Sequence, residues 1–272
     1  MVNYDQNLLK VSLQISHIMS EKIVLAFSGG LDTSISVSWL KKKHNLDVIT
    51  AIVDVGQEDN FEAIEKKAYS IGASKHYTID AKKEFIEDYI FSAIKSNALY
   101  QNKYPLATAL GRPLIAYKLA EVANKEYTKN FSHGCTGKGN DQARFDVTLR
   151  SVMSDAKIIA PVRDENMSRD EEIQYAKELN VSIEKKSQYS IDENLWGRSI
   201  EGGILEDSFN EPPIDIYKWI NTDSKLDDKY IEINFNQGIP ISIDGITDSV
   251  SYTHLRAHET LRYLVCRLLL EK

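Results

Sequence analysis

Two hydrophobic rhythms alternate along most of the chain. Short apolar-rich runs recur at residues 22–27, 47–55, 75–80, 129–133 and 157–160, each with polar residues, glycine or proline at or next to its ends. Runs of that length and flanking predict buried strands. Helix-period segments lie between them. Leu31, Ile35 and Trp39 share one helical face, and Lys41-Lys42-Lys43 suits the negative end of that helix's dipole. Asp59-x-x-Glu62 predicts a capping box for a helix to about Ile71, closed by Gly72. Residues 82–100 predict a long helix with Phe85, Ile86, Tyr89, Ile90 and Ile94 inward. Pro113 predicts the opening of another, which buries Leu114, Tyr117, Leu119, Ala120 and Val122. Residues 141–153 predict a helix with Phe145, Leu149, Val152 and Met153 on one side, and Ser168-x-x-Glu171 a capped helix through Leu179. The alternation predicts an α/β fold, a doubly wound parallel sheet with ligands gathered at the carboxyl ends of its strands.

From about residue 185 the alternation stops. Gly197, Gly202, Gly203, Pro212 and Pro213 punctuate a loop-rich stretch, and two short strands near 230–235 and 239–243 flank the hairpin signal Asn236-Gln237-Gly238. The expected organisation is an α/β domain over residues 21–184 and the start of a smaller α+β domain over 185–250. Residues 1–20, polar and weakly patterned, are expected to be an extension, with packing of Leu8, Leu9 and Val11 on the domain as the alternative. From about Val250 the chain turns basic and leucine-rich, so residues 251–272 read as a tail of different character; an amphipathic terminal helix is the other reading.

Composition narrows the setting. Of 272 residues, 42% are hydrophobic and 27% charged, the balance of a soluble globular protein. The net charge of −7 argues against a sequence-independent grip on nucleic acid, so an anionic ligand needs local positive charge. Cys135 and Cys266 are the two cysteines, too few for a disulfide framework or a four-cysteine zinc site. Neither a bilayer-spanning run nor a secretory signal pattern is present, and cytoplasm is the expected location, with no membrane partner.

The first chemical motif is Ser28-Gly29-Gly30-Leu31-Asp32-Thr33-Ser34, at the junction of the first strand and its helix. Glycines admit close backbone approach, the hydroxyls add donors, and a helix start presents unpaired N–H groups to an anion. The Gly-Lys-Ser/Thr ending of a P-loop is absent. The motif instead resembles the pyrophosphate loop of ATP pyrophosphatases, which split ATP between its α and β phosphates; a strand–turn–helix that merely needs glycine is the plainer reading. The second motif, Ser132-His133-Gly134-Cys135-Thr136-Gly137-Lys138-Gly139-Asn140-Asp141-Gln142, follows the fourth strand and so emerges at the same end of the sheet. Its glycines, Lys138 and polar groups suit an anion beside a polar ligand, and Arg144 can clamp a carboxylate bidentately. Residues 104–113 and 190–203 read, each alone, as an ordinary loop and a surface turn.

In order, these four stretches resemble argininosuccinate synthase, from about Lys22 to about Ile246. That resemblance implies MgATP-driven joining of L-citrulline and L-aspartate to argininosuccinate in arginine biosynthesis, with AMP and pyrophosphate released. The ureido oxygen attacks the α-phosphorus to give a citrullyl-adenylate, and the aspartate amine displaces AMP. It implies an ATP site at Ala26, Phe27, Ser28, Gly29, Gly30, Leu31, Asp32, Thr33, Ser34, Val53 and Gly134. Thr136, Asn140 and Asp141 match the aspartate site; Tyr104, Arg144, Ser190 and Ser199 match the citrulline site. Asp32, Lys138 and Arg144 are the candidates for catalytic charge, Asp32 by arranging magnesium or triphosphate. No protein metal site is implied, and Cys135 is incidental. Ala109 stands where the family usually has a serine on citrulline. The family's downstream glutamate, tyrosine and oligomerising helix have no match, so the synthetase domain is expected to be cut short and the family's homotetramer is not carried over; residues 251–272 resemble translated adaptor sequence. Other readings are another α–β-splitting ATP enzyme, amidating or tRNA-modifying, and a nucleotide-binding fragment without turnover.

Overall fold

The computed structural model describes residues 20–179, 189–219, 230 and 232–247; the expected tail, and the expected extension apart from Ser20, lie outside them. The chain divides into two compact units. The first, in its described part, comprises residues 20–52, 60–79 and 115–179; the second takes in 53–59, 80–114 and the described residues from 189 onward.

In the first unit the sheet runs β3-β2-β1-β4-β5, with β1 (Lys22–Ala26), β2 (Asp47–Asp54), β3 (Lys75–Asp80), β4 (Asn130–Ser132) and β5 (Lys157–Ile159). β1 lies parallel to both β2 and β4, and β4 parallel to β5. Strand alternation sorts the core onto two faces. Ile23, Leu25 and Phe27 join Val48 against α1 (Leu31–His44) and α2 (Phe61–Ser70), whereas Val24, Ile49, Ala51 and Phe131 pack against α4 (Ala107–Lys125) and α5 (Asp141–Val152). The predicted doubly wound α/β architecture is what forms. The order of strands reverses between β1 and β4, so the two loops leaving their carboxyl ends are neighbours at the switch point.

Local chemistry moved several boundaries. The cap of α2 is Asn60, whose side chain accepts from Ala63 N–H, in place of an Asp59–Glu62 box. The predicted helix at 82–100 is α3, made of Lys82–Glu84, a wide π-helical segment Phe85–Ile90 and Phe91–Ser96, and it stops at left-handed Asn97. Pro113 does not open α4 but lies inside it. The helix runs on through it, with Ala107, Gly111 and Leu114 buried along one side. Tyr117 and Val152, expected inward, are 41% and 43% exposed, because both lie at the edges of their apolar stripes. A short helix α6 (Pro161–Asp164) precedes α7 (Arg169–Glu178), which begins with the predicted Ser168–Glu171 capping box.

The stretch from 190, read as loop, is an antiparallel hairpin of β6 (Ser190–Asn194) and β7 (Gly197–Glu201). A second hairpin pairs β8 (Ile233–Asn236) with β9 (Ile239–Ile243) through Gln237 and Gly238, both at positive φ as a mirror-image turn demands. These small antiparallel sheets are separate from the parallel one.

Candidate functional site

β1 ends in the cradle. Gly29 sits at φ +74°, where a β-carbon would also meet Ile64 at 3.1 Å. Gly30 is the N-cap of α1 and brings no side chain to the helix start. Ser34 Oγ donates to the Gly29 carbonyl at 3.3 Å, Thr33 Oγ1 to the Gly30 carbonyl at 3.3 Å, and Ser36 Oγ to the Asp32 carbonyl at 2.7 Å. Ser28, exposed, places its Oγ 3.4 Å from both Gly30 N and Thr33 Oγ1. Phe27 turns its ring into the core and passes only its backbone to the cradle, its N–H held by the Ala51 carbonyl at 2.9 Å. Ala26, Leu31 and half-buried Asp32 complete it.

The loop after β4 closes on this cradle. A β-carbon on Gly134 would lie 2.9 Å from Thr33 Cγ2, and 3.3 Å from both Asp32 Cβ and the Thr33 backbone N. Only glycine lets the two strand ends approach so closely. His133, 1% exposed, holds the loop from beneath. Its Nδ1 accepts from Cys135 N–H at 3.3 Å, which leaves the proton on Nε2, 3.0 Å from Asp146 Oδ1. Phe145 stacks on the imidazole at 5.4 Å. Burial would raise the Asp146 pKa, but the His133 hydrogen bond and the Arg163 charge outweigh it and hold the carboxyl below its ordinary value. Arg163 binds Asp146 Oδ2 at 3.1 Å, tying α5 to α6.

From that base the loop carries Thr136, Lys138 and Asn140 outward, all exposed. Gln142 Nε2 donates to the Gly137 carbonyl at 2.7 Å and shapes the turn. Asp141 and Arg144 follow in the first turn of α5 and pair at 2.6 Å, both partly exposed. Carboxylate and guanidinium so placed can receive an ammonium and a carboxylate side by side.

The remaining expected residues belong to the second unit. Tyr104 Oη lies 2.9 Å from Thr108 Oγ1 and accepts from Thr108 N–H. The hairpin β6–β7 docks there: Trp196 Nε1 donates to the Pro105 carbonyl, Asn194 Nδ2 to the Ala107 carbonyl at 2.8 Å, and Arg112 binds Asp192 at 2.9 Å. Ser199 pairs with Asp192 and Ser190 with Glu201, so the two serines share one face as diagonal neighbours. Ala109 lies within the first turns of α4, and Val53 is buried near the end of β2. The structure thus gathers the cradle with residues 134–144 in one unit, and Tyr104 with Ser190 and Ser199 in the other.

Sequence reading missed Lys67, whose Nζ donates to the Gly29 carbonyl at 2.7 Å from 38 residues away, and it missed the His133–Asp146–Arg163 chain. Neither has a local signal, since both are contacts between elements. Among the described residues, no group of three or more His, Cys, Asp or Glu could hold a metal ion. No described helix is long and apolar enough to cross a membrane.

Comparison with known proteins points one way. Residues 22–182 match the family described as Arginosuccinate synthase N-terminal HUP domain, and residues 189–262 match Arginosuccinate synthase C-terminal domain. The second match runs into the stretch whose composition sets it apart. A curated argininosuccinate synthase of Dictyoglomus thermophilum is 55% identical over 232 residues, 85% of this chain and 58% of that protein. Those of Dictyoglomus turgidum and Pyrococcus furiosus are 56% and 54% identical, over 83% and 82% of this chain and 57% and 55% of theirs. The chain spans somewhat more than half the length of the curated relatives it matches.

Proposed function

The chain belongs to the argininosuccinate synthase family, and from that premise we propose that it serves the ATP-driven joining of L-citrulline to L-aspartate. The observation that carries this reading is the contact of Gly134 with Asp32 and Thr33. It puts the open start of α1 and the polar loop at 134–144 around one space, as an anionic nucleotide beside a zwitterionic substrate requires.

In this reading the N–H groups at the start of α1, with Ser28 and Thr33, hold the β and γ phosphates. Arg144 binds the citrulline carboxylate. Thr136, Asn140 and Asp141 receive aspartate, with Asp141 on its ammonium group. ATP supplies the α-phosphoryl group: the ureido oxygen bonds to the α-phosphorus as pyrophosphate leaves. The aspartate amine then attacks the ureido carbon, AMP departs, and the nitrogen loses its proton. Nothing here needs a protein nucleophile; orientation and charge stabilisation lower the barrier. Magnesium fits as an ion carried on the phosphates, where it neutralises charge, with Asp32 as the single carboxylate of the cradle beside it. A cytoplasmic setting suits this metabolism.

Pyrophosphate release is the test. Release that depends on both ATP and citrulline supports the reading. Release indifferent to citrulline would assign the cradle to another α–β-splitting enzyme, and ATP binding without release would leave a nucleotide-binding module. Asp32→Ala is expected to cut pyrophosphate release by about 100-fold with citrulline affinity retained, the scale for losing one electrostatic element of a transition state. An unchanged rate would remove Asp32 from the machinery.

A further inference from the structure

We propose that Lys67 is the positioning cation of the phosphate cradle, standing in from α2 for the lysine that the cradle's own sequence lacks. The inference rests on the cradle being the nucleotide site. Lys67 is half-buried, and its Nζ donates at 2.7 Å to the Gly29 carbonyl, which also accepts from Ser34 Oγ at 3.3 Å. This carbonyl is a liability in an anion site, because its partial negative charge would repel phosphate. A trans peptide sends its C=O and N–H in opposite directions. Two donors on the Gly29 oxygen therefore turn the Gly30 N–H the other way, to the side of the Ser28 hydroxyl. Gly29 at φ +74° permits that orientation, and nothing in its own side chain enforces it.

The charge matters as well as the bond. The chain carries −7 overall, and no lysine or arginine occurs between residues 23 and 40. An ammonium one peptide away from the Gly30 N–H raises the local potential where pyrophosphate would develop charge. Lys67 acts through the Gly29–Gly30 peptide rather than by touching substrate, so it is a positioning residue.

Calorimetric titration of the full chain with ATP, inorganic pyrophosphate and AMP separates the outcomes. Lys67→Met is expected to weaken ATP and pyrophosphate by about tenfold or more, the scale of a charge-assisted hydrogen bond, with AMP affinity within about twofold. Lys67→Arg, which keeps the charge and a donor, is expected to recover most of the loss. AMP serves as the internal control for folding, because a general disruption weakens all three ligands alike, and that result overturns the proposal. K67M binding ATP as tightly as the parent also overturns it while leaving the cradle intact. A parent chain that binds neither ATP nor pyrophosphate overturns the nucleotide reading itself.

Discussion

At the scale of single residues, Gly134 shows how little room the site leaves. Its β-carbon would meet backbone at 3.3 Å and a methyl at 2.9 Å, and backbone cannot step aside. Gly134→Ala is expected to cost about 1–2 kcal/mol of stability and to weaken ATP binding. Gly139→Ala, in the same loop with nothing within 4 Å of the added carbon, is the control and should leave stability within about 0.5 kcal/mol. Urea unfolding with ATP titration reads both. The glycines and charged groups of the two motifs were legible as residue types, since each motif is a run of adjacent residues. The identity of the group gripping Gly29 was not, because Lys67 reaches it through the packing of α2.

At the scale of elements, α7 covers the helix that starts at the cradle: Ile173, Tyr175, Ala176 and Leu179 pack with Leu31, Ile35 and Val162. The Ser168–Glu171 box fixes where α7 begins, Glu171 accepting from both the Ser168 N–H and hydroxyl at 2.7 Å. Ser168→Ala should lower stability by about 1 kcal/mol and the Tm by about 2–4 °C, measured by calorimetry, with no loss of the fold. Such caps are written in four consecutive residues and were read correctly here. The Asn60 cap one position past the expected Asp59 shows the limit of that signal, since adjacent Asp and Asn side chains are equally able acceptors. The hairpin at 190–201 escaped notice because its turn, Leu195-Trp196, carries no glycine or asparagine. Buried Leu195 and the Trp196–Pro105 bond hold that turn in place.

For the molecule as a whole, an ionic cluster secures the edge of the first unit where the strands begin. Glu126, 7% exposed, binds Lys75 and Tyr77 and also Lys22 at 2.9 Å. The Lys75 and Tyr77 hydrogen bonds, with Lys22 assisting, hold its carboxyl down to about 2 from 4.5. A carboxyl depressed in the fold stabilises it above its ordinary pKa and loses that contribution as pH falls toward the folded value. Stability is therefore expected to decline between about pH 4.5 and pH 2 by about 1–3 kcal/mol, with the partly exposed lysines at the low end of that range. Glu126→Gln should flatten this segment of the urea-stability profile. Since Lys22 begins β1 and the cradle follows its end, ATP affinity should change little.

Legible from neighbouring residues alone were the alternation of strand and helix, the parallel doubly wound class, and the two glycine-rich loops. Each is encoded within a few neighbouring residues, by apolar period, by a cap, or by glycine where a side chain cannot fit. Tertiary structure decided the rest. The 3-2-1-4-5 strand order puts the β1 and β4 loops side by side, and the Gly134–Thr33 approach closes them together. It also decided that Pro113 stays inside a helix, that His133 and Asp146 support the loop, and that Lys67 of α2 reaches the Gly29 carbonyl. These are contacts between residues tens of positions apart, and no local pattern records which distant side chain arrives once the core has packed.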